Sequence, residues 1–468
     1  MTLTPMATAP AASGPASTDR PVRQRLTMQE RRQAWARHRE AMTRLVTGKI
    51  DWIPVLVFAS ILMSPEARID LSGFQLFPYR IALIVSLPFV AVEAIRRPIR
   101  PSLADILFLA ATAWMFMATA SHYAIDIAFK TGGSTTLDTL AAYLVGRIFF
   151  REPLDLRRFL YRVTPFLVAV AILMFLESVS HRYLVRTFIG SLTGFSPQST
   201  IQRVYELRFG LLRAMGPFLH PIAAGLFFGS LVPLFLAADL PKRRWLGLLA
   251  CAGGFFAWSS AGVATILAGL ALGFYDYVQR RLRWGWFPLI MAVVVSLGMI
   301  ESFTSDGIVK FLIRNASFNP QTGYFRLAIW EYGSADVARS PWIGIGILND
   351  YTRPKWMHSD SVDNYWLLLA LRYGIPCSLA MLAAVALNVL KLSLAGKFME
   401  NGALHGRRMA TGLAISVFVL YVVLITVSPW GADMSWLIML LGMAGGLADR
   451  RRGGKDELPA PSRARAAR

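Results

Sequence analysis

Twelve predominantly apolar runs, each about 15–23 residues long, divide this 468-residue chain, and ~20 such residues are what a helix needs to cross ~30 Å of hydrocarbon. They occupy 50–64, 75–95, 102–121, 134–150, 163–179, 217–238, 244–258, 261–278, 286–303, 375–395, 409–429 and 435–449. In hydrocarbon no water meets the backbone N–H and C=O groups, so a run that crosses must satisfy them internally as a helix. Overall, 55% of residues are hydrophobic and 16% charged. The fold expected is all-α: a polytopic membrane protein of about 12 transmembrane helices.

The charges between the runs alternate. Basic clusters fall at Arg96, Arg97 and Arg100; at Arg151, Arg157, Arg158 and Arg162; at Lys242, Arg243 and Arg244; at Arg280, Arg281 and Arg283; and at Lys391, Lys397, Arg407 and Arg408. With twelve crossings all of these and both termini lie on one side, which the excess of Lys and Arg marks as cytoplasmic. The net charge of +21 is then mainly an orientation signal, and no nucleic-acid partner is expected. Cys251 and Cys377 both fall inside apolar runs, which argues against a disulfide framework or a cysteine metal site.

Three regions follow: a basic, partly disordered cytoplasmic segment at 1–48, a transmembrane domain at 49–449 and a basic cytoplasmic tail at 450–468. Residues 1–22 are rich in Ala, Pro, Ser and Thr, whereas Arg25 to Val46 set Leu26, Trp35, Met42 and Leu45 among arginines, the composition of an interfacial helix. The basic stretch before the first run is too long for a cleavable signal peptide. Two loops, about 180–216 and 304–362, are far longer than a bundle connection requires. Both face away from the cytoplasm, where ATP and cytosolic sugar nucleotides are out of reach.

The first loop ends Arg203-Val-Tyr-Glu-Leu-Arg208-Phe-Gly-Leu-Leu-Arg213-Ala-Met-Gly-Pro-Phe-Leu-His220-Pro221. A Pro-rich helix start offers free N–H groups and a dipole that favour an anion, and guanidinium groups grip phosphate oxygens in bidentate fashion. Arg203, Arg208 and Arg213 are therefore either diphosphate ligands or the wet face of an interfacial helix. His220 is either a substrate contact or a packed, helix-end histidine.

In the second loop Arg326 and Trp330 stand four apart, so on a helix they share one face. They could hold a phosphate and a sugar ring, or simply pack. Gly344-Ile-Gly346 lacks the strand and helix of a nucleotide motif and reads as a turn. Next comes His358-Ser-Asp360-Ser-Val-Asp363-Asn364, running straight into an apolar helix. Ionisable groups at such a lip are costly and are kept for function, so Asp363 and His358 are the candidate general bases. Capping is the competing account, with Asp360 as the cap and Asp363 in the first turn, where the dipole favours a carboxylate.

Four stretches taken in order, Arg213 to Pro221, Ser260 to Gly262, Arg326 to Gly346, and Asp363-Asn364 to Gly374, resemble the O-antigen ligase and polysaccharide polymerase superfamily over about 200–395. The resemblance implies a GT-C-like, inverting, metal-independent glycosyltransferase that needs no cofactor. It implies a bacterial inner-membrane enzyme acting at the periplasmic face on undecaprenyl-diphosphate-linked oligosaccharide as donor and acceptor. Membrane lipids and a chain-length-regulating membrane protein are the further partners. The ligases typically carry His where this chain has Asp363, and Arg where it has Ala261. The Asp-Asn pair is closer to the exopolysaccharide repeat-unit polymerases, so polymerisation is expected ahead of ligation to a lipid or protein acceptor. Asp363 or His358 would take the acceptor's proton, and Arg213, Arg326, Arg208 and Arg203 would hold the diphosphate, with His220, Trp330 and Asn364 completing substrate binding. A transporter or flippase fits twelve helices equally well, but transporters gather their ionisable groups near the bilayer midplane.

Cysteine labelling should reach positions near 195 and 335 from outside the cell, and positions near 155, 241 and 400 only after permeabilisation. A cytoplasmic 304–362 loop would overturn both topology and mechanism.

Overall fold

The computed structural model describes residues 43–48, 50–71, 74–195, 207–240, 243–304, 320–357, 360–398 and 404–449, besides a few isolated positions. The expectations for residues 1–22, for Arg203 and His358, for most of the stretch from Arg25 to Val46 and for the 450–468 tail lie outside them.

Fifteen helices of nine or more residues carry the described chain: α1 Trp52–Ile61, α2 Pro78–Arg96, α3 Leu103–His122, α4 Ser134–Phe149, α5 Pro153–Ser180, α6 Leu184–Thr193, α7 Pro221–Ala237, α8 Arg243–Cys251, α9 Ser260–Leu282, α10 Phe287–Phe303, α11 Pro320–Arg339, α12 Tyr365–Tyr373, α13 Ile375–Phe398, α14 Leu404–Val423 and α15 Ala432–Ala448. A π-helical turn, Ala128–Gly133, leads into α4. Two small antiparallel hairpins pair β1 (Ile69–Leu71) with β2 (Phe74–Leu76) and β3 (Leu207–Arg208) with β4 (Leu211–Leu212). Each of the twelve apolar runs falls on a helix. Six helices, α2, α3, α5, α9, α13 and α14, are long and apolar enough to cross a membrane, and α1, α7, α10 and α15 are shorter apolar helices. The chain is an all-helical integral membrane protein.

Several boundaries differ from expectation for local reasons. Helix α5 begins ten residues before the apolar run, at Pro153, behind a capping box of Glu152 and Asp155. Arg157, Arg158 and Arg162 therefore ride on its first turns. Arg157 is buried, Arg158 donates to the Leu45 carbonyl at 3.0 Å and Arg162 to that of Thr47 at 3.1 Å. The run at 244–258 is not one helix: after Cys251 it tightens into a 3-10 stretch, Ala252–Ala257. Gly253 and Gly254 lie there against Ala171 and Phe228, where a Cβ would come within 2.8–2.9 Å of a side-chain carbon.

Contacts between helix ends sort them into two sets. At one end Arg147, near the close of α4, binds Asp105 at the start of α3 and Asp449 beyond α15, while Arg244 and Arg408 meet Asp239 after α7. Arg280 of α9 reaches Thr411 of α14. At the other end Arg80 of α2 binds Asp138 of α4 at 2.7 Å, and Arg186 of α6 binds Glu66 after α1. Here too Glu177, near the close of α5, accepts the Gly216 N–H at 2.7 Å. His122, closing α3, meets the Ile343 carbonyl at 3.2 Å, so both long loops share this end. The +21 charge is thus more than an orientation signal, since Arg147, Arg157, Arg186, Arg213 and Arg326 are all buried.

The tightest seam joins α4 to α15. A Cβ at Gly146, Gly442 or Gly446 would overlap the carbonyl oxygen of Met439, Tyr143 or Phe150 respectively. Small residues permit such an approach between apolar helices, where packing substitutes for the hydrophobic drive available in water. Gly442→Val should therefore destabilise the protein by about 1–3 kcal/mol or more, read as a lowered thermal transition in detergent. Gly298→Val should leave the transition unchanged, because a Cβ there meets nothing within 4 Å.

Candidate functional site

The second loop is built on a backbone clasp. The Ile345 N–H donates to the Leu371 carbonyl at 2.6 Å and the Ile375 N–H to that of Pro341 at 2.8 Å. Trp114 of α3 donates its indole N–H to the Tyr373 carbonyl at 2.9 Å, and the Tyr123 hydroxyl accepts the Leu348 N–H at 2.9 Å. Gly344 (φ 68°) and Gly374 (φ 89°) occupy the left-handed region that only glycine enters freely, and a Cβ on either would overlap the opposing backbone. The Gly-Ile-Gly turn and Gly374 thus fix loop to bundle.

Helix α11 packs on α12 above this clasp, around a small core of Ala328, Ile329, Val337, Tyr351, Met357, Val362, Leu367, Ala370 and Leu371. Trp330 is partly buried against that core, which supports the packing account of this residue. Arg326 points elsewhere. Its guanidinium is 4% exposed, and its Nε lies 3.9 Å from Asp363 Oδ2, an ion pair too long for a hydrogen bond. Nε and Nη1 are buried with no hydrogen-bond partner among the described residues. Burial pulls the Arg326 pKa below its ordinary value, with the Asp363 carboxylate opposing the shift.

Asp363 is held on the other side by Ser361, whose hydroxyl donates to Oδ1 at 2.9 Å. About a third of its side chain remains exposed. Two bonds pin the strand that carries it: Ser428 donates to the Val362 carbonyl at 2.7 Å, and the Tyr365 N–H donates to the Leu424 carbonyl at 2.9 Å. The cap of α12 is Asn364, whose Oδ1 accepts the Leu367 N–H at 3.0 Å. The expectation that Asp360 caps this helix is corrected accordingly. Asn364 spends its side-chain oxygen on the helix start, and Asp363 stands one residue before the cap, outside the helical hydrogen bonds. Geometry thereby assigns the two halves of the Asp-Asn pair different tasks.

The first-loop residues attach to another framework. Arg208 donates to the Trp258 carbonyl at 2.8 Å, and the Ala214 N–H donates to that of Phe256 at 2.9 Å, so this loop lies against the turn entering α9. Arg213 is buried there. His220 caps α7, its Nδ1 accepting the Ile222 N–H at 3.1 Å, which is the helix-end role. Ser259, rather than Ser260, caps α9 by accepting the Gly262 N–H at 3.4 Å. Gly262 approaches Gly225 so closely that a Cβ would come within 2.7 Å of its Cα. The Ser-x-Gly turn is therefore a packing device.

Sequence reasoning missed Tyr351, Arg353 and Asp336. Tyr351 is 4% exposed with its hydroxyl unpartnered among the described residues. Burial raises its pKa, with Asp363, Asp360 and Asp350 adding to the effect and Arg353 opposing it. Arg353 binds Asp350 at 3.1 Å. Asp336 fastens the 350–353 strand by accepting the Thr352 N–H and binding Arg339 at 2.6 Å. None of the three lies in a repeated pattern or motif. Among the described residues no three His, Cys, Asp or Glu side chains come together as a metal-ligand set.

Residues 245–382 match the family model for O-antigen ligase, so the resemblance drawn from the motifs holds over that stretch. The match takes in Ser260 to Gly262, Arg326 to Gly346 and Asp363 to Gly374, and begins beyond Arg213. Comparison with curated proteins gives no match.

If the Arg326–Asp363 pair does chemistry, Arg326→Ala should lower glycan formation by about 10²–10³, the usual cost of one charge-assisted donor to a developing anion. Arg326→Lys should recover part of it. Asn364→Ala should instead lower stability by about 0.5–2 kcal/mol, the cost of a lost cap, measured by thermal unfolding. Undiminished glycan from Arg326→Ala would return that arginine to a structural role.

Proposed function

We propose, on the premise that residues 245–382 form an O-antigen ligase family domain within an integral membrane protein, that this chain polymerises undecaprenyl-diphosphate-linked oligosaccharide repeat units at the periplasmic face of the inner membrane. The observation that carries the reading is the buried Arg326, two of whose guanidinium nitrogens have no hydrogen-bond partner among the described residues, beside the partly exposed Asp363 carboxylate. A cation with hydrogen-bonding capacity to spare suits an oxyanion, and a carboxylate next to it suits a hydroxyl group that must lose its proton.

In the reaction the acceptor hydroxyl oxygen attacks the donor's anomeric carbon from the face opposite the diphosphate. The bond from that carbon to the diphosphate oxygen breaks, and its electron pair leaves with the lipid diphosphate. The hydroxyl proton passes to Asp363, and the configuration inverts because attack comes from the face opposite the leaving group. Arg326 meets the charge growing on the departing phosphate, where an electrostatic contact contributes more to the transition state than to the ground state. Arg213 and Arg208, on the first loop at the same end, are the further candidates for the diphosphate, as is Arg203. His358, five residues before Asp363, is the second candidate base. With about twelve crossings in all, five before the first long loop and nine before the second, both loops would lie on the periplasmic side, with a chain-length-regulating membrane protein as partner.

A deletion strain should accumulate single lipid-linked repeat units. Long, unattached lipid-linked polymer in their place would mark a ligase. Complementation then separates the bases: Asp363→Asn should lose activity by about 10²–10⁴, the scale of general-base removal, and His358→Ala by clearly less. An equal loss in both would move the proton to His358 and leave Asp363 to orient it. Full activity of Asp363→Asn would remove that residue from the mechanism.

A further inference from the structure

A cavity of about 340 Å³ lies beside the Arg326–Asp363 pair, with Asn349, Asp350, Tyr351, Asp360, Ser361 and Trp430 in its wall. Its size falls at the lower end of small-ligand sites, about 300–1,000 Å³. Ser361 joins it to the reacting carboxylate, since the hydroxyl of this lining residue is the donor to Asp363 Oδ1 at 2.9 Å.

The wall differs in charge from the neighbourhood of Arg326. Two carboxylates line it against one cation, Arg372, and Asp350 is additionally held by Arg353 at 3.1 Å. A diphosphate would be repelled by Asp350 and Asp360, whereas sugar hydroxyls donate to carboxylates and exchange hydrogen bonds with Asn349 and Ser361. Trp430 is 58% exposed, a flat apolar surface of the kind that packs on the C–H face of a sugar ring. Tyr351 supplies an independent sign. Its hydroxyl is buried without a partner among the described residues, and leaving such a group unmatched costs about 1–3 kcal/mol.

We propose that this cavity is the acceptor subsite: it binds the terminal sugar of the acceptor glycan through Asp360, Asn349 and the face of Trp430, and presents one hydroxyl to Asp363. The assignment rests on the glycosyl-transfer reading above and deepens it. Donor and acceptor then occupy opposite electrostatic environments, with Asp363 between them. The cation draws the diphosphate to one side and the carboxylates reserve the other for uncharged hydroxyls.

The test uses the full-length protein in lipid nanodiscs. The probe is a set of oligosaccharides released by partial acid hydrolysis of the cell's own surface polysaccharide, with binding read by saturation-transfer NMR. Trp430→Ala and Asp360→Asn should each weaken binding about ten-fold or more, the scale of one good contact. Trp430→Phe, which keeps an aromatic face, should retain most of it, and Arg326→Ala should bind as the unaltered protein does. In turnover with lipid-linked donor, Asp360→Asn should raise KM for the acceptor fragment without raising that for the donor. Absence of oligosaccharide binding, unchanged binding in both Trp430→Ala and Asp360→Asn, or loss of binding in Arg326→Ala would each overturn the subsite. Binding that depends on Trp430 and Asp360 in a protein that never consumes lipid-linked donor would sink the polymerase reading and leave the subsite standing.

Discussion

A guanidinium removed from water costs several kcal/mol unless carboxylates and carbonyls meet its N–H groups, and this bundle repeatedly obeys that constraint. Arg147 is met by both oxygens of Asp105, by Asp449 and by the Arg100 carbonyl. Arg186 is met by Glu66 and the Leu219 carbonyl, and Arg80 by Asp138 and the Gln75 carbonyl. Each of these ties helix ends or a loop together, and each has its carboxylate within hydrogen-bond range. Arg326 departs from the rule. It is 4% exposed, yet its carboxylate stands 3.9 Å away and Nε and Nη1 have no hydrogen-bond partner among the described residues. Arg147 itself leaves Nη1 unmatched among the described residues, so the contrast is one of degree: Arg326 leaves two nitrogens unmatched and has no carboxylate within hydrogen-bond range.

The loop end that carries this pair is fastened to the bundle through backbone geometry. Gly344 and Gly374 let the chain at 341–346 press against 371–375, and the Trp114 and Tyr123 side chains fasten the clasp to α3. Asp363 is pinned by Val362 and Tyr365 to the far end of α14. The segment that carries the carboxylate is thus tied to two different helices, to α3 through the clasp and to the chain beyond α14 through Ser428 and Leu424.

Much of the helical layout was legible because the run length of apolar residues is set by the bilayer and survives any detail of packing. Boundaries were less legible. Arg157, Arg158 and Arg162 read as loop residues on charge alone, but their guanidiniums find carbonyls or burial inside the bundle and α5 runs straight through them. The break after Cys251 depends on how closely Gly253 and Gly254 meet Ala171 and Phe228, a three-dimensional fact. At the candidate site Arg326 and Asp363 were singled out through spacing and residue chemistry, and the fold brings their side chains within 3.9 Å of each other. The capping roles of Asn364 and His220 were not resolved, because Asp, Asn and His at a helix start are chemically interchangeable until the local φ and ψ are known. Tyr351 carried no signal at all: a lone tyrosine in a loop looks like any other until its hydroxyl is found buried and unmatched.

Under the glycosyl-transfer reading proposed above, the separation of Arg326 from Asp363 has a chemical consequence. A direct, hydrogen-bonded pair would stabilise the carboxylate as an anion and weaken it as a base. At 3.9 Å, with Arg326 left two spare nitrogens, an arriving oxyanion can take the guanidinium's hydrogen bonds without first breaking one to Asp363. On the proposed reading, a donor diphosphate is thus received without disturbing the bond by which Ser361 holds the Asp363 carboxylate.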